Sequence, residues 1–302
     1  MQKVVVRLSI VLLLFSFSAF AQKRNITEKD LFDFAWVGDP QVSPDGATVA
    51  FVKVTVNPAK SNYDTAIWTI ATSGNGEPRR LTSGVRDSSP RWSPDGRFLA
   101  FVRSGDTPGS SPQIYLLPMN GGEAFQITNV PRGAGGPNWS PDGKWIAFGS
   151  NANPDDIAKQ GKPAAPDARD SDVRVITRAQ YRSDGGGYLD ANRPNHLWVV
   201  AVPMNPGEKT TPKQLTSGQF AEGNFVWNKE GSQIYYATNR NPEPYYTLPQ
   251  SEIYSVPVAG GPSTLLTKVD MGVGALSLSP DGKRFAFNGS VVHEPVKSYT
   301  QP

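Results

Sequence analysis

Short apolar stretches alternate with turn residues along most of the chain, and the same order of stretches returns several times. Ser-Pro-Asp-Gly stands at 43–46, 93–96, 140–143 and 279–282, and a degenerate Asn-Lys-Glu-Gly stands at 228–231. Proline fixes φ at the second turn position, aspartate bonds the neighbouring backbone, and glycine accepts a positive φ at the exit. The motif predicts a tight hairpin whose aspartate serves the turn rather than catalysis.

The strands around each turn also repeat. The strand after the turn carries an alanine before an aromatic residue, or two tyrosines in the degenerate copy: Ala50-Phe51, Ala100-Phe101, Ala147-Phe148, Tyr235-Tyr236 and Ala286-Phe287. The strand before the turn often ends in tryptophan, as at Trp92, Trp139 and Trp227, with Leu278 in the last copy. Two further stretches recur, one aliphatic then aromatic (such as Ile67-Trp68) and one ending in aliphatic-Thr (such as Leu81-Thr82). We expect the aromatic residues to pack between repeats.

Four short strands in a unit of about 50 residues are typical of a β-propeller blade. We therefore predict an all-β fold, a β-propeller of four-stranded blades, with about five blades of which the last has two strands. A two-layer β-sandwich is the competing fold, but it does not require the same strand types in the same order. Four and a half blades form an incomplete ring. Either the N-terminal segment completes the last blade, or the chain is part of a larger propeller.

Two segments stand outside the repeats. Residues 151–190 are polar and lengthen the third interval, so we expect an inserted loop between strands of the third blade. Residues 1–21 carry Lys3 and Arg7, then an apolar run shorter than the ~20 residues that cross a bilayer, then Ala19-Phe20-Ala21. This is the pattern of a signal peptide cleaved after Ala21, leaving a propeller domain over 22–302. It predicts a periplasmic or secreted protein with no membrane segment after cleavage.

The amino-acid composition excludes several kinds of partner, nucleophile and metal site. The chain of 302 residues has a net charge of +3, and two of its positive charges lie in the signal peptide over 1–21, called the leader below. The remaining charge is close to zero and gives no reason to expect nucleic acid as a partner. It has no cysteine and only two histidines, His196 and His293, which excludes cysteine nucleophiles and Cys-ligated metals. The acidic residues of the insertion lack the spacing of a calcium loop. We expect no cofactor and no metal.

Three stretches together resemble a known family. They are a short capped helix at 26–32, Asp-Pro-Gln-Val-Ser-Pro-Asp-Gly at 39–46, and Thr-Arg-Ala-Gln-Tyr-Arg-Ser-Asp-Gly-Gly-Gly at 177–187, followed by His-Leu-Trp-Val-Val at 196–200. This order is similar to the propeller of the prolyl oligopeptidase family of serine peptidases, most closely its acylaminoacyl-peptidase-like branch. The turns alone are also found in TolB-like propellers, whereas the insertion is specific to the branch. The resemblance covers about 26–287.

The resemblance implies a propeller, usually of seven blades, that precedes an α/β-hydrolase domain with a Ser-Asp-His triad. This chain has no Gly-x-Ser-x-Gly elbow, so the catalytic domain is absent from it and we assign no catalytic residue. We expect the chain alone to be inactive. The resemblance also places the insertion near the substrate cavity, which makes Arg182, Asp184 and Tyr188 candidate substrate-facing residues. Alternatively, Arg182 and Asp184 only hold the glycine-rich loop.

The repeats and the resemblance lead to two possible functions. The first is the propeller portion of an exported serine peptidase resembling acylaminoacyl-peptidase or dipeptidyl-peptidase, which acts on short peptides. In that role the propeller gates access and lines the substrate chamber, and its partner is the α/β-hydrolase domain of the full-length relative. The second is a stand-alone TolB-like periplasmic propeller that acts as a protein-interaction scaffold and has no chemistry.

Overall fold

The computed structural model describes residues 24–105, 110–162, 173, 175–183 and 187–289. The leader over 1–21 lies outside these residues. Four antiparallel sheets of four strands follow one another, and a two-stranded sheet comes last. The first two sheets are formed by β1 (Ala35–Val42), β2 (Thr48–Val56), β3 (Tyr63–Ala71) and β4 (Arg79–Arg80), and by β5 (Asp87–Trp92), β6 (Phe98–Arg103), β7 (Gln113–Pro118) and β8 (Phe125–Gln126).

The third sheet contains a long excursion of the chain between its second and third strands. It is formed by β9 (Gly135–Trp139), β10 (Trp145–Ser150), β13 (His196–Ala201) and β14 (Lys213–Gln214). The excursion holds helix α1 (Pro154–Lys159) and the small hairpin of β11 (Arg182–Ser183) and β12 (Gly187–Tyr188). The remaining strands are β15 (Glu222–Trp227), β16 (Gln233–Thr238), β17 (Ser251–Pro257), β18 (Thr264–Val269), β19 (Leu276–Leu278) and β20 (Phe285–Phe287). A 3-10 turn over Pro244–Tyr246 precedes β17.

The sheets are the blades of a propeller, as the repeats predict. Each complete blade places its first strand innermost, and the first strands of neighbouring blades contact each other, as β1 and β5 do. The turns of successive blades also lie side by side. A Cβ added to Gly96 would lie 3.9 Å from Cδ of Pro44, and one added to Gly143 would lie 3.7 Å from Cδ of Pro94. The Ser-Pro-Asp-Gly turns therefore line one face, here called the turn face.

Antiparallel pairing determines which connections between strands lie at the face opposite the turns. The second strand of each blade starts at the turn face, so it ends at the opposite one, where the connection to the third strand begins. The connections from one blade to the next leave there as well. We call this the loop face. The excursion between β10 and β13 emerges from it.

Hydrogen bonds explain why the turns repeat. In the second copy Ser93 Oγ donates to Asp95 Oδ1 at 2.7 Å, and the same carboxylate oxygen accepts the Arg97 N–H at 3.0 Å. Phe98 N then donates to Ser93 Oγ at 2.9 Å. The equivalent bonds recur in the other three Ser-Pro-Asp-Gly turns. The prediction that these aspartates serve the turns is confirmed.

The core lies between blades. Ala100, Phe101, Ala147 and Phe148 are fully buried, and an aromatic side chain of this size contributes about 1.5–3 kcal/mol on burial. The Ala50-Phe51 pair of the first copy and Tyr236 of the fourth are buried as well. Phe287 of β20 differs, since 37% of it is exposed, and among the residues described here β20 has only β19 beside it. The expected packing between repeats therefore holds for four copies and not for the fifth.

Two further bonds recur between repeated residues. The indole N–H of each strand-ending tryptophan donates to a carbonyl on the innermost strand of the preceding blade. These bonds, each of 3.0 Å, join Trp92 to Gln41, Trp139 to Arg91 and Trp227 to Asn138. In the first three blades the threonine hydroxyl of the aliphatic-Thr pair accepts the N–H of a third-strand residue, at 2.8–3.1 Å. These bonds join Ile67 to Thr82, Ile114 to Thr128 and Leu197 to Thr216.

Short helical segments complete the structure. A 3-10 helix over Glu28–Asp33 precedes the first blade, and the Thr27 N–H donates to Asp30 Oδ2 at 2.7 Å, which is the capping contact that the sequence predicts. In the part of the chain with described coordinates, no helix is both long and apolar enough to cross a membrane.

Candidate functional site

The site on the loop face begins with helix α1. Asn153 caps it, because its Oδ1 accepts the Asp156 N–H at 2.9 Å while Asp156 Oδ2 accepts the Asn153 N–H at 3.1 Å. Pro154 occupies the first helical position, where its missing N–H costs nothing. This reciprocal cap fixes the carboxylate of Asp156 close to the end of β10.

The hairpin of β11 and β12 holds two of the predicted site residues. Arg182 pairs with Tyr188 across the two strands, and its guanidinium carbon lies 5.6 Å from the centre of the Tyr188 ring. Tyr181 packs on the same ring, with centroids 6.2 Å apart. Tyr181 and Tyr188 are 44% and 49% exposed, so the hairpin presents an aromatic and cationic surface to solvent. Asp184 lies outside the described residues, so the structure brings together Arg182 and Tyr188 alone.

Arg193 joins the two ends of the excursion. Its Nε lies 3.0 Å from Asp156 Oδ2 on helix α1, and its Nη1 bonds Asp190, which follows the hairpin. The Arg193 guanidinium lowers the pKa of Asp156. The Asn192 N–H is the main cause of the lowered pKa of Asp190, and Arg193 adds to it. Both carboxylates therefore remain ionised at neutral pH and hold the arginine in place.

A pocket of about 310 Å³ opens beside this cluster. Segments of the second and third blades surround it, and the lining includes Arg132, Gly135, Gly149, Ser150, Arg193 and Asn195. Two polar groups in the lining are already bonded to backbone: Ser150 Oγ donates to the Gly133 carbonyl at 2.6 Å, and Asn195 Nδ2 donates to the Glu222 carbonyl at 2.8 Å. The exposed guanidinium of Arg132 gives the pocket a group that can bind a carboxylate or a carbonyl oxygen.

His196 is buried next to the pocket wall rather than exposed in it. Its Nδ1 lies 2.7 Å from Glu222 Oε2, and Thr216 Oγ1 donates to the same oxygen at 2.7 Å. His196 and Thr216 belong to the third blade and Glu222 begins the fourth. The network thus connects two blades, and its burial fits the interpretation of His196 as a structural residue rather than a general base.

Sequence reasoning missed the pocket and its arginines. Arg132 follows an aliphatic-Thr strand and Arg193 precedes a blade strand, in connections whose distance in the chain gives no sign that they meet. One signal was present in the sequence, since Arg132 is followed by Gly-Ala-Gly-Gly, which is unusually small for a segment leading into a blade strand. Within the described part of the chain, no group of three or more His, Cys, Asp or Glu side chains is arranged to hold a metal ion.

Comparison with known proteins agrees with this architecture. The family model for the TolB beta propeller domain matches residues 23–183, which is more than half of the chain. Among solved structures, the uncomplexed acylaminoacyl peptidase of Pyrococcus horikoshii superposes with a TM-score of 0.59 at 20% identity, covering 91% of this chain and 38% of that one. At this identity the likeness establishes the fold.

Two curated relatives are peptidases. The chain is 31% identical over 222 residues to the uncharacterized peptidase YuxL of Bacillus subtilis, an alignment that covers 72% of this chain and 32% of the relative. It is 26% identical over 275 residues to dipeptidyl-peptidase 5 of Porphyromonas endodontalis, which covers 87% of this chain and 38% of the relative. The chain therefore spans about a third of the length of the curated relatives it matches.

Proposed function

Because the chain belongs to the TolB β-propeller domain family, we propose that it is the propeller portion of an exported serine peptidase that hydrolyses short peptides. The observation that carries the proposal is the alignment of two peptidases with most of the chain, 72% of it in one case and 87% in the other. The propeller neighbours among acylaminoacyl peptidases agree with this.

Catalysis belongs to a separate α/β-hydrolase domain in this proposal. A serine peptidase of this type needs a nucleophile in a Gly-x-Ser-x-Gly elbow and a histidine base oriented by a carboxylate. The sequence has no such elbow, and His196 is buried against Glu222. The propeller chain therefore supplies no catalytic group, and its contribution is to bind and to select.

Selection takes place at the loop face. The hairpin with Arg182 and Tyr188, the Arg193 cluster and the pocket all lie there, whereas the turn face has the repeated tight turns. A hydrolase domain placed over the loop face would enclose a chamber lined by these groups. Short peptides would enter it and folded proteins would be excluded by size.

Export is the remaining part of the proposal. The N-terminal leader and its small-x-small sequence before Gln22 support secretion into the periplasm or the medium. A short-peptide hydrolase in that compartment would act on peptides taken up or released there.

The test uses the native protein, captured from producing cells with an antibody against the blades. Its hydrolysis rate is measured on peptides of increasing length and on a folded protein, with a serine-hydrolase inhibitor as the control. We expect inhibitor-sensitive cleavage that falls sharply with length. Captured protein that cleaves nothing would favour the other candidate, a TolB-like scaffold, which the family match alone also supports.

A further inference from the structure

Two glycines, Gly135 and Gly149, lie in the lining of the loop-face pocket, and we call the surface at Gly135 its floor. Gly135 of β9 lies directly opposite Gly149 of β10, and paired residues of antiparallel strands carry their side chains on the same face. A Cβ on Gly149 would lie 2.8 Å from Asn195 Oδ1, so packing explains this glycine. A Cβ on Gly135 would meet nothing within 4 Å, and its φ lies outside the left-handed region. Neither packing nor backbone conformation requires glycine at 135, and its effect is to keep the pocket open.

The charges around the pocket leave one cation available. Arg193 is bonded to Asp156 through Nε and Nη2 and to Asp190 through Nη1, so all three of its guanidinium nitrogens are engaged and its orientation is fixed. Arg132 lines the same pocket and is exposed; its charge helps to lower the pKa of Asp156 and Asp190, but among the residues whose positions are described it forms no ion pair within 4.0 Å, so its N–H groups stay open to a ligand. Since Ser150 and Asn195 already donate to backbone carbonyls, Arg132 is the strongest hydrogen-bond donor left for a ligand.

We propose that this pocket binds the carboxylate of a short peptide, with Arg132 as its charged partner and the open floor at Gly135 accepting the adjoining peptide unit. A guanidinium bonds a carboxylate through two parallel N–H groups, which selects a planar monoanion over a neutral amide. The choice of a peptide as the ligand rests on the proposed function. The pocket is formed by residues of the propeller, so ligand binding to it can be measured whichever domain carries the catalytic serine.

The experiment measures binding to the full chain by isothermal titration calorimetry, with N-acetyl-Ala-Ala as the free acid and as the amide. We expect the free acid to bind at least about tenfold more tightly, as one charge-assisted bidentate pair allows. Arg132→Gln should abolish this preference. Gly135→Val should weaken both ligands, because its side chain fills the floor. Arg79→Gln, which removes an exposed arginine from the outermost strand of the first blade, should change nothing.

Several results would overturn the proposal: equal binding of acid and amide, a preference that survives Arg132→Gln, or inorganic phosphate displacing the peptide acid with equal affinity. Gly135→Ala, which the structure accommodates without contact, replaces the valine variant if circular dichroism shows that the latter is unfolded. Because the titration needs no catalysis, its failure is distinct from the absence of peptidase activity in the native protein.

Discussion

The indole N–H of Trp139 donates to the backbone carbonyl of Arg91 at 3.0 Å and thereby joins the third blade to the second. The donor is at the end of one innermost strand and the acceptor is near the end of the preceding one. Because a hydrogen bond is directional, this contact restricts rotation between the two blades more than apolar packing alone would.

Replacing Trp139 tests this bond. Trp139→Phe removes this part-buried hydrogen bond, and we expect a loss of about 0.5–1.5 kcal/mol in the free energy of unfolding beyond the loss of packing. Trp198→Phe is the matched control, because Trp198 is similarly buried and its Nε1 has no hydrogen-bond partner in the part of the chain described. Urea denaturation of both variants measures the difference. Equal losses would show that the bond contributes nothing.

The buried network around Glu222 gives a second prediction. Glu222→Ala removes the shared acceptor of His196 and Thr216, and breaking a buried polar pair from one side costs about 3 kcal/mol. Glu77→Ala, at an exposed position, should change stability by less than about 0.5 kcal/mol. Thermal and urea unfolding measure both variants. A loss for Glu222→Ala as small as that of the control would contradict the structural role of the network.

The turn aspartates predict a dependence of stability on pH. Burial acts to raise the pKa of Asp95, but hydrogen bonds from Ser93 and Arg97 outweigh it and lower the pKa from 3.8 to about 2. The folded state therefore binds this proton less tightly than the unfolded state. The stabilisation is complete above pH ~4 and is lost as the pH falls towards ~2.

Asp95→Asn should therefore reduce the fall in unfolding free energy between those two pH values. Asp270→Asn, which replaces an exposed carboxylate outside the repeated turns, should leave the fall unchanged. Urea midpoints at several pH values measure the effect. If Asp95→Asn lost as much unfolding free energy on acidification as the unmodified chain, the turn hydrogen bonds would not lower the pKa of Asp95 in the folded state relative to the unfolded state.

The ion pairs of Arg193 predict that the excursion between β10 and β13 is protected from proteolysis. Arg193→Met removes its bonds to Asp156 and Asp190, and partly exposed ion pairs of this kind contribute on the order of 1 kcal/mol. We expect limited proteolysis within the excursion to become about fivefold faster. Arg178→Met removes an exposed arginine of the same excursion and should leave the rate unchanged. Equal rates in both variants would show that Arg193 does not restrain it.

Much of the fold could be predicted because its causes are local. The Ser-Pro-Asp-Gly turns need only the residues from Ser93 to Phe98 to form their bonds, so each copy is visible in the sequence. Tryptophan and threonine stood out by recurrence, although their partners lie in another strand or another blade. The exposed Phe287 departs from the expectation because packing depends on a neighbouring blade and not on the repeat itself.

The candidate site was predicted less well. Arg182 and Tyr188 are close in sequence, and the hairpin brings them together as short-range pairing does. The pocket instead depends on Arg132 and Arg193, which come from connections of different blades. Their proximity follows from the ring of blades, which no local pattern encodes.

The most direct test of the central claim, that this propeller belongs to a serine peptidase, is labelling of the native protein with a fluorophosphonate probe. The full 302-residue chain produced alone is the comparison, since its sequence has no Gly-x-Ser-x-Gly elbow. We predict that the native protein captured through its blades carries the label on a serine and that the chain alone does not. Native protein that stays unlabelled while its blades are intact would contradict the claim.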